Sequence, residues 1–337
     1  MNERILLSHG SGGDLTHRLI DRLFVHHFDN DELRRLSDSA FLGRYPGEAL
    51  FTTDSYVVDP IFFPGGDIGK LSVCGTVNDL AVAGGRPAYL SAGFIIEEGF
   101  ALEDLRRVVV SMAGEARQAG VRIVAGDTKV VHKGKADKLF INTSGVGYLH
   151  PRFTGAVNGS GVQKGDRIVV NGNIGDHGIA VLAAREDLKI SSNIRSDCAS
   201  LNHLIGKMLD RVEGIRLMRD VTRGGLATVL CELATGNRAG IRLEESAIPV
   251  DEKVRGICEM LGLDPLYLAN EGKLVAIVDP TSTDQLLDVM QSDPLGRQAQ
   301  VIGEVVDDHP GRVVMQTHIG GRRIIEMLTG EQLPRIC

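Results

Sequence analysis

Strand-like and helix-like segments alternate along this chain, and a turn-rich stretch at 150–165 interrupts them near the middle. That stretch carries Pro151, Gly155, Asn158, Gly159 and Gly161, residues that stop regular structure, so the alternation divides into two units. In the first unit, β-rich runs at 50–58, 90–96, 121–124 and 140–148 flank helical patterns at 69–84 and 102–119. In the second, strand patterns at 166–170, 240–243, 274–278 and 301–305 alternate with helical ones at 179–185, 201–209, 226–234, 254–261 and 284–290. A hairpin-like pair at 312–317 and 322–327 follows, and an amphipathic helix carrying Leu15, Leu19, Ile20, Leu23 and Phe24 on one face precedes everything. The fold class is therefore α/β (α+β). Its expected divisions are an N-terminal glycine-rich segment with its helix at 1–35, domains at 36–150 and 151–310, and a C-terminal segment at 311–337.

The 337 residues suffice for two domains, and 43% hydrophobic residues give each a core to bury. A net charge of −7 and no Lys/Arg run argue against nucleic acid and acidic lipid as partners. No apolar window is long enough to span a membrane and the N-terminus shows no signal-peptide pattern, so a cytoplasmic protein is expected. Five cysteines lie far apart without a C-x-x-C pair, which indicates neither a disulfide framework nor a structural zinc site. Cys74, Cys198, Cys231 and Cys258 read as buried thiols. Cys337 is different: it ends the chain after Pro334, Arg335 and Ile336, in a segment with no apolar periodicity to hold it, where a flexible tail behind a glycine could carry the thiol between sites.

The segment from Gly65 to Lys70 fails as a phosphate loop, because Pro64 occupies the first glycine position and Leu71 replaces the hydroxyl residue. His9-Gly10-Ser11-Gly12-Gly13-Asp14 is glycine-rich before a helix, so the N–H groups of Gly12 and Gly13 could face phosphate, or the segment could be a plain turn. More informative are aspartates expected at strand ends or turns: Asp38, Asp54, Asp79, Asp127 and Asp220. Carboxylates among small or β-branched residues are either solvated in loops or gathered around a hard cation such as magnesium, which bridges them to nucleotide phosphates. Lys129 and Arg223 stand close to two of them in sequence.

Six motifs taken together resemble the HypE family of hydrogenase maturation factors, within the larger PurM-like group that includes aminoimidazole ribonucleotide synthetase and selenophosphate synthetase. They are 62–69, Gly75-Thr76-Val77-Asn78-Asp79-Leu80-Ala81, Gly126-Asp127-Thr128-Lys129-Val130-Val131, Gly175-Asp176-His177-Gly178, Ala269-Asn270-Glu271-Gly272-Lys273 and the terminal Pro334-Arg335-Ile336-Cys337. The segment 220–226 is similar to the larger group's pattern. Selenophosphate synthetase would need a reactive Cys or selenocysteine near the N-terminal glycines, and no Cys precedes Cys74.

The resemblance implies a two-domain fold with mixed sheets flanked by helices, a homodimer formed through the N-terminal sheets, and an ATP-dependent carbamoyl dehydratase. Magnesium would be held by Asp38, Asp54, Asp79 and Asp220, although Ser37 and Ser39 stand where relatives often pair acidic residues with the first position. Gly12, Gly13, Asp54, Asp79, Asp127, Thr128 and Arg223 would contact ATP. The transferase HypF would place a carbamoyl group on Cys337, ATP would activate its oxygen, loss of phosphate would leave a thiocyanate, and a HypC–HypD complex would accept the cyano group for [NiFe]-hydrogenase. Lys129 is the expected catalytic cation and Glu271 the expected base. His9 and His177 could touch nucleotide or tail. The alternative is a non-catalytic thiol carrier or metallochaperone.

Overall fold

The computed structural model describes residues 4–44, 47–153, 161–185, 193–330, 333 and 335–337. Gly155, Asn158 and Gly159 of the central turn-rich stretch, and Pro334 before the terminal residues, lie outside the described residues. Residues 14–28 form one helical run, α-helical over Asp14–Leu19 and His26–Phe28 and π-helical over Ile20–Val25. It buries Leu19, Leu23 and Phe24 in the N-terminal core, as the periodicity of those residues requires.

The N-terminal sheet contains β1 (Ala49–Tyr56), β2 (Gly85–Glu97), β3 (Arg122–Val131) and β4 (Leu139–Leu149), in the order β1-β4-β2-β3. β4 pairs antiparallel with β1 and β2, whereas β2 and β3 are parallel and joined by the crossover helix Leu102–Ala119. The helix α1 (Ile68–Val82) lies on one face of the sheet, and the crossover helix, α2, packs on α1. Asp67 caps α1 by accepting from the N–H groups of Gly69 and Lys70 at 2.8 and 3.1 Å. The other face of the sheet is open, with Phe51 and Ile95 exposed.

The C-terminal lobe is built on β5 (Arg167–Val170), β6 (Ile215–Asp220), β7 (Gly240–Glu244), β8 (Leu274–Val278), β9 (Gln300–Val306), β10 (Val313–Gln316) and β11 (Arg322–Ile325). Their order is β11-β10-β7-β9-β5-β8-β6, and only the β7–β10 pair is parallel. Every residue of β8 is buried, because helices cover both faces of the sheet. α3 (Asp176–Ala183) precedes α4 (Asn202–Arg211), α5 (Gly225–Asn237), α6 (Glu252–Leu261) and α7 (Thr283–Gln291). Ile168, Val170, Val275 and Ile277 pack with α5, and Val169, Ala276 and Val278 pack with α4 and α7, so neighbouring residues of one strand serve two cores.

Three aspartates expected at turns or strand ends lie elsewhere. Asp54 is inside β1, Asp79 is inside α1, and Asp127 sits mid-strand because β3 continues to Val131. β3 is an edge strand, so polar residues on its open side remain solvated without breaking the ladder.

Candidate active site

Carboxylates from both lobes converge where α1 meets β6. Alternation along β1 turns Thr52, Asp54 and Tyr56 to the side opposite exposed Phe51, Thr53 and Ser55, and the Thr52 hydroxyl donates to Asp79 Oδ2 at 2.8 Å. Asp220 ends β6 in register with Leu274, the first residue of β8, three positions after Glu271. Asn270 orders this junction: its Oδ1 accepts from Gly175 N at 2.7 Å and its Nδ2 donates to Val221 O at 2.9 Å. Glu271 is buried, and its backbone is gripped by residues 197–199: its N–H donates to Asp197 Oδ1 at 3.0 Å and its carbonyl accepts from Ala199 N at 3.2 Å. The approach requires Gly272, since a Cβ there would stand 2.0 Å from the Asp197 carbonyl oxygen.

So many acids in a dry junction hold protons tightly. Burial, then the charges of Asp197, Asp220 and Asp54, push the Glu271 carboxyl well above the usual range. Burial and the charge of Asp79 bring Asp220 to about 7, and burial, with Asp54 nearby, raises Asp79. For Asp197 burial works upward, but Lys273 at 3.1 Å and the Glu271 N–H outweigh it and keep the carboxylate charged. Glu271, expected as the base, therefore holds its proton more tightly in the ligand-free chain than an exposed carboxyl would.

The terminal residues occupy this junction. Val57 N donates to the Cys337 carbonyl at 3.2 Å and Asp59 N to the Arg335 carbonyl at 3.1 Å, so the tail adds to the chain leaving β1 like a short strand. Ile336 is buried in the N-terminal core, and its carbonyl lies 2.8 Å from His177 Nε2. That contact makes Nε2 the donor, leaving Nδ1 to accept from Ser196 Oγ at 2.8 Å. Burial lowers the His177 pKa and favours this neutral form. The Cys337 thiol is pushed up by burial and by the charge of Glu271, with Arg223 acting downward and Asp54 upward. A tail expected to be flexible is seated here through partners distant in sequence.

The other expected residues gather elsewhere. Gly12, Asp38, Asp127, Thr128 and Lys129 line a cleft of about 360 Å³ between the β3 edge and the N-terminal helices. Asp38 is exposed there, so the chain does not place it with Asp54, Asp79 and Asp220. Gly13 precedes the helical run as its N-cap, and the His9 ring accepts locally from Leu6 N at 3.0 Å. Lys129 pairs with Asp127 at 2.8 Å and is 63% exposed on the open side of the sheet. β3 is separated from β1 by three strand spacings, about 14 Å. That is too far for Lys129 to reach the sulfur of its own chain. Arg223 stands 3.8 Å from Asp54 and is 71% exposed, free to turn toward a ligand. Among the described residues no three His, Cys, Asp or Glu side chains are close enough to cage a metal alone. An all-oxygen set of mutually repelling carboxylates nevertheless suits a hard cation that takes its remaining ligands from phosphate or water.

Asp176, at the start of α3, is raised to about 6 by burial and then by Asp197. A raised carboxyl stabilises the fold below its unfolded pKa and loses that contribution as pH rises through the folded value. Asp176→Asn should therefore melt a few degrees higher than the parent at pH 8 and at the same temperature near pH 4, measured by calorimetry.

Comparison with known proteins identifies the family and the fold. Residues 37–149 match the AIR synthase related protein N-terminal domain, and residues 163–316 match the corresponding C-terminal domain. Carbamoyl dehydratase HypE of Cupriavidus necator is 52% identical over 335 residues, spanning 99% of this chain and 95% of the relative. The chain belongs to the HypE family. Among solved structures, a hydrogenase maturation protein HypE in complex with ATP superposes with a TM-score of 0.94 at 49% identity, covering 98% of this chain and 99% of the other. The HypE chain of a HypE–HypF complex gives 0.80 at 47% identity, covering 92% and 99%. The two-domain mixed α/β architecture is thus that of HypE. Sequence reasoning missed Asp197, Ser196, Asp59 and Asp137, which carry no motif, and left open the contact that His177 makes with the tail. Among the described residues no helix is long and apolar enough to cross a membrane.

Proposed function

We propose that this chain dehydrates a carbamoyl group carried on Cys337, using ATP, and so supplies cyanide ligands for [NiFe]-hydrogenase. The observation that carries the proposal is the seat of the tail, with the Cys337 carbonyl on Val57 N and the Ile336 carbonyl on His177, which puts the thiol within the field of Glu271, Asp54 and Arg223. The carbamoyl oxygen attacks the γ-phosphorus, the bond to the β-phosphate oxygen breaks, and ADP leaves. Two N–H protons are lost, the C–O bond breaks with departure of phosphate, and a C≡N bond remains on sulfur. The balance is S-carboxamide plus ATP to S-cyanide, ADP and phosphate.

Asp54, Asp79 and Asp220 would hold magnesium, which when bound supplies positive charge to the phosphates and to these carboxylates. With magnesium bound, the charges of Asp54 and Asp220 would raise the Glu271 carboxyl less, which would favour its acceptance of an amide proton. Gly12, Gly13, Asp127 and Thr128 would contact the nucleotide, and Arg223, together with Lys129, would meet charge on the phosphates. Carbamoylation by HypF takes place with the tail withdrawn, because the seated thiol is largely covered and burial pushes its pKa up. HypC–HypD accepts the cyano group in this scheme. A simple thiol carrier would have no use for an acidic junction at the seat of its tail.

Lys129 is brought to the chemistry by a second copy. Phe51 and Ile95, 70% and 45% exposed, lie on the open face of the N-terminal sheet, beside a cleft of about 400 Å³ that Asp127 and Lys129 help to line. Pairing of two such faces buries both apolar side chains. The double variant Phe51→Asp, Ile95→Asp is expected to sediment as a monomer and to lose most dehydratase activity with an unchanged circular dichroism spectrum.

The test of the function is the mass of the C-terminal peptide after HypF, carbamoyl phosphate and Mg-ATP. Loss of one water from the carbamoylated peptide is expected. ATP consumption with an unchanged peptide mass would reject the dehydratase reading.

A further inference from the structure

Arg335 is held in an arrangement more specific than a surface tail needs. Its guanidinium pairs with Asp137, lies 4.0 Å from Asp59 Oδ2, and donates from Nε to Val57 O at 3.1 Å. Its carbonyl accepts from Asp59 N at 3.1 Å and from Arg185 Nη2 at 3.3 Å. Asp59 is itself fixed, its carboxylate by Lys138 at 3.2 Å and its carbonyl by Arg185 Nε at 3.1 Å. The backbone of Arg335 is left-handed, with φ of 54°. Such a conformation in a residue other than glycine persists only where its surroundings over-determine it.

From this receptor the geometry points to Asp137 and Asp59 as positioning residues for the reaction: by clamping the Arg335 guanidinium they set the register of the tail and thereby the place of the Cys337 sulfur beside Glu271. The inference rests on the reading of Cys337 as the carrier thiol and extends it to side chains that touch no reacting atom. The register follows from the covalent chain. Once Arg335 is fixed between Asp59 and Asp137, Ile336 enters the N-terminal core with its carbonyl on His177, and Cys337 falls in line with Val57 N. A slip of one residue would put the isoleucine where the guanidinium sits and leave Asp137 without its cation. The same clamp opposes withdrawal of the tail. Its partly exposed ion pairs make that opposition dependent on salt.

The structure supplies a selective probe, because Cys74, Cys198, Cys231 and Cys258 are buried and Cys337 is the partly exposed thiol of the five. Native full-length protein is treated with Ellman's reagent, and the fast thiol is assigned by peptide mapping. Arg335→Ala and Asp137→Asn should each raise the Cys337 rate about tenfold, and the double variant should react no faster than either, as expected of two residues in one interaction. Arg335→Lys should restore part of the protection, and raised salt should speed the parent but not the double variant. In single-turnover assays the same two variants should carbamoylate at least as fast as the parent and form nitrile about tenfold more slowly, a split that general loss of structure would not produce. Asp137 is about half exposed, so its variant keeps the fold even where an Arg335 variant does not. Parental thiol rates in both single variants, or strictly additive effects, would overturn the clamp. A parent that consumes ATP without making nitrile would instead defeat the dehydratase reading and leave the thiol-protection result standing.

Discussion

Cys337→Ala is expected to abolish nitrile formation while leaving nucleotide binding intact. In the proposed reaction the sulfur is the atom that carries the carbamoyl group, so no neighbouring group replaces it. Cys74, Cys198, Cys231 and Cys258 are buried and cannot take over the role. The rest of the tail keeps its seat in this variant, since Ile336 retains the N-terminal core and His177, and Arg335 its two carboxylates. ATP-dependent thermal stabilisation should therefore match the parent, with no nitrile in the C-terminal peptide by mass spectrometry. Nitrile production at parental rates would refute the assignment of the carrier.

Glu271→Gln is expected to slow dehydration by roughly 10²–10⁴-fold, the usual range for a positioned acid–base group. Carbamoylation by HypF should be unaffected, because the tail is outside the junction at that step. The substitution also separates chemistry from folding. Burial and the charges of Asp197, Asp220 and Asp54 raise the Glu271 carboxyl and disfavour its charged form, so a neutral amide of the same shape costs little. The raised carboxyl stabilises the fold below its unfolded pKa and loses this as pH rises toward the folded value. The variant should therefore melt at or above the parental temperature at pH 8 and match it near pH 4. A variant that is stable and fully active would remove Glu271 from the proton transfers.

The secondary structure was largely legible because its determinants are local. The helix periodicities at 102–119 and 254–261 locate α2 and α6 to within two residues, and the apolar run at 274–278 is β8. The strand holding Asp127 was read too short, since glycine and charged residues resemble a turn until β2 pairs alongside them. Asp79 was read as a turn residue although it lies inside the predicted helix, because an acid among buried apolar neighbours becomes intelligible only when Thr52 is seen to donate to it.

What the sequence determined by itself was the alternating two-unit architecture, the family, and the residue types of an oxygen-ligand and thiol chemistry, all of which follow from order and local spacing along the chain. Tertiary structure alone decided where those residues meet. The tail seat joins Arg335 to Val57 and Ile336 to His177 across more than a hundred intervening residues, and the Glu271 carboxyl is raised because folding buries it and brings the charges of Asp197, Asp220 and Asp54 near it. Charge repulsion and burial depend on distances through space, and no local pattern of residues encodes them.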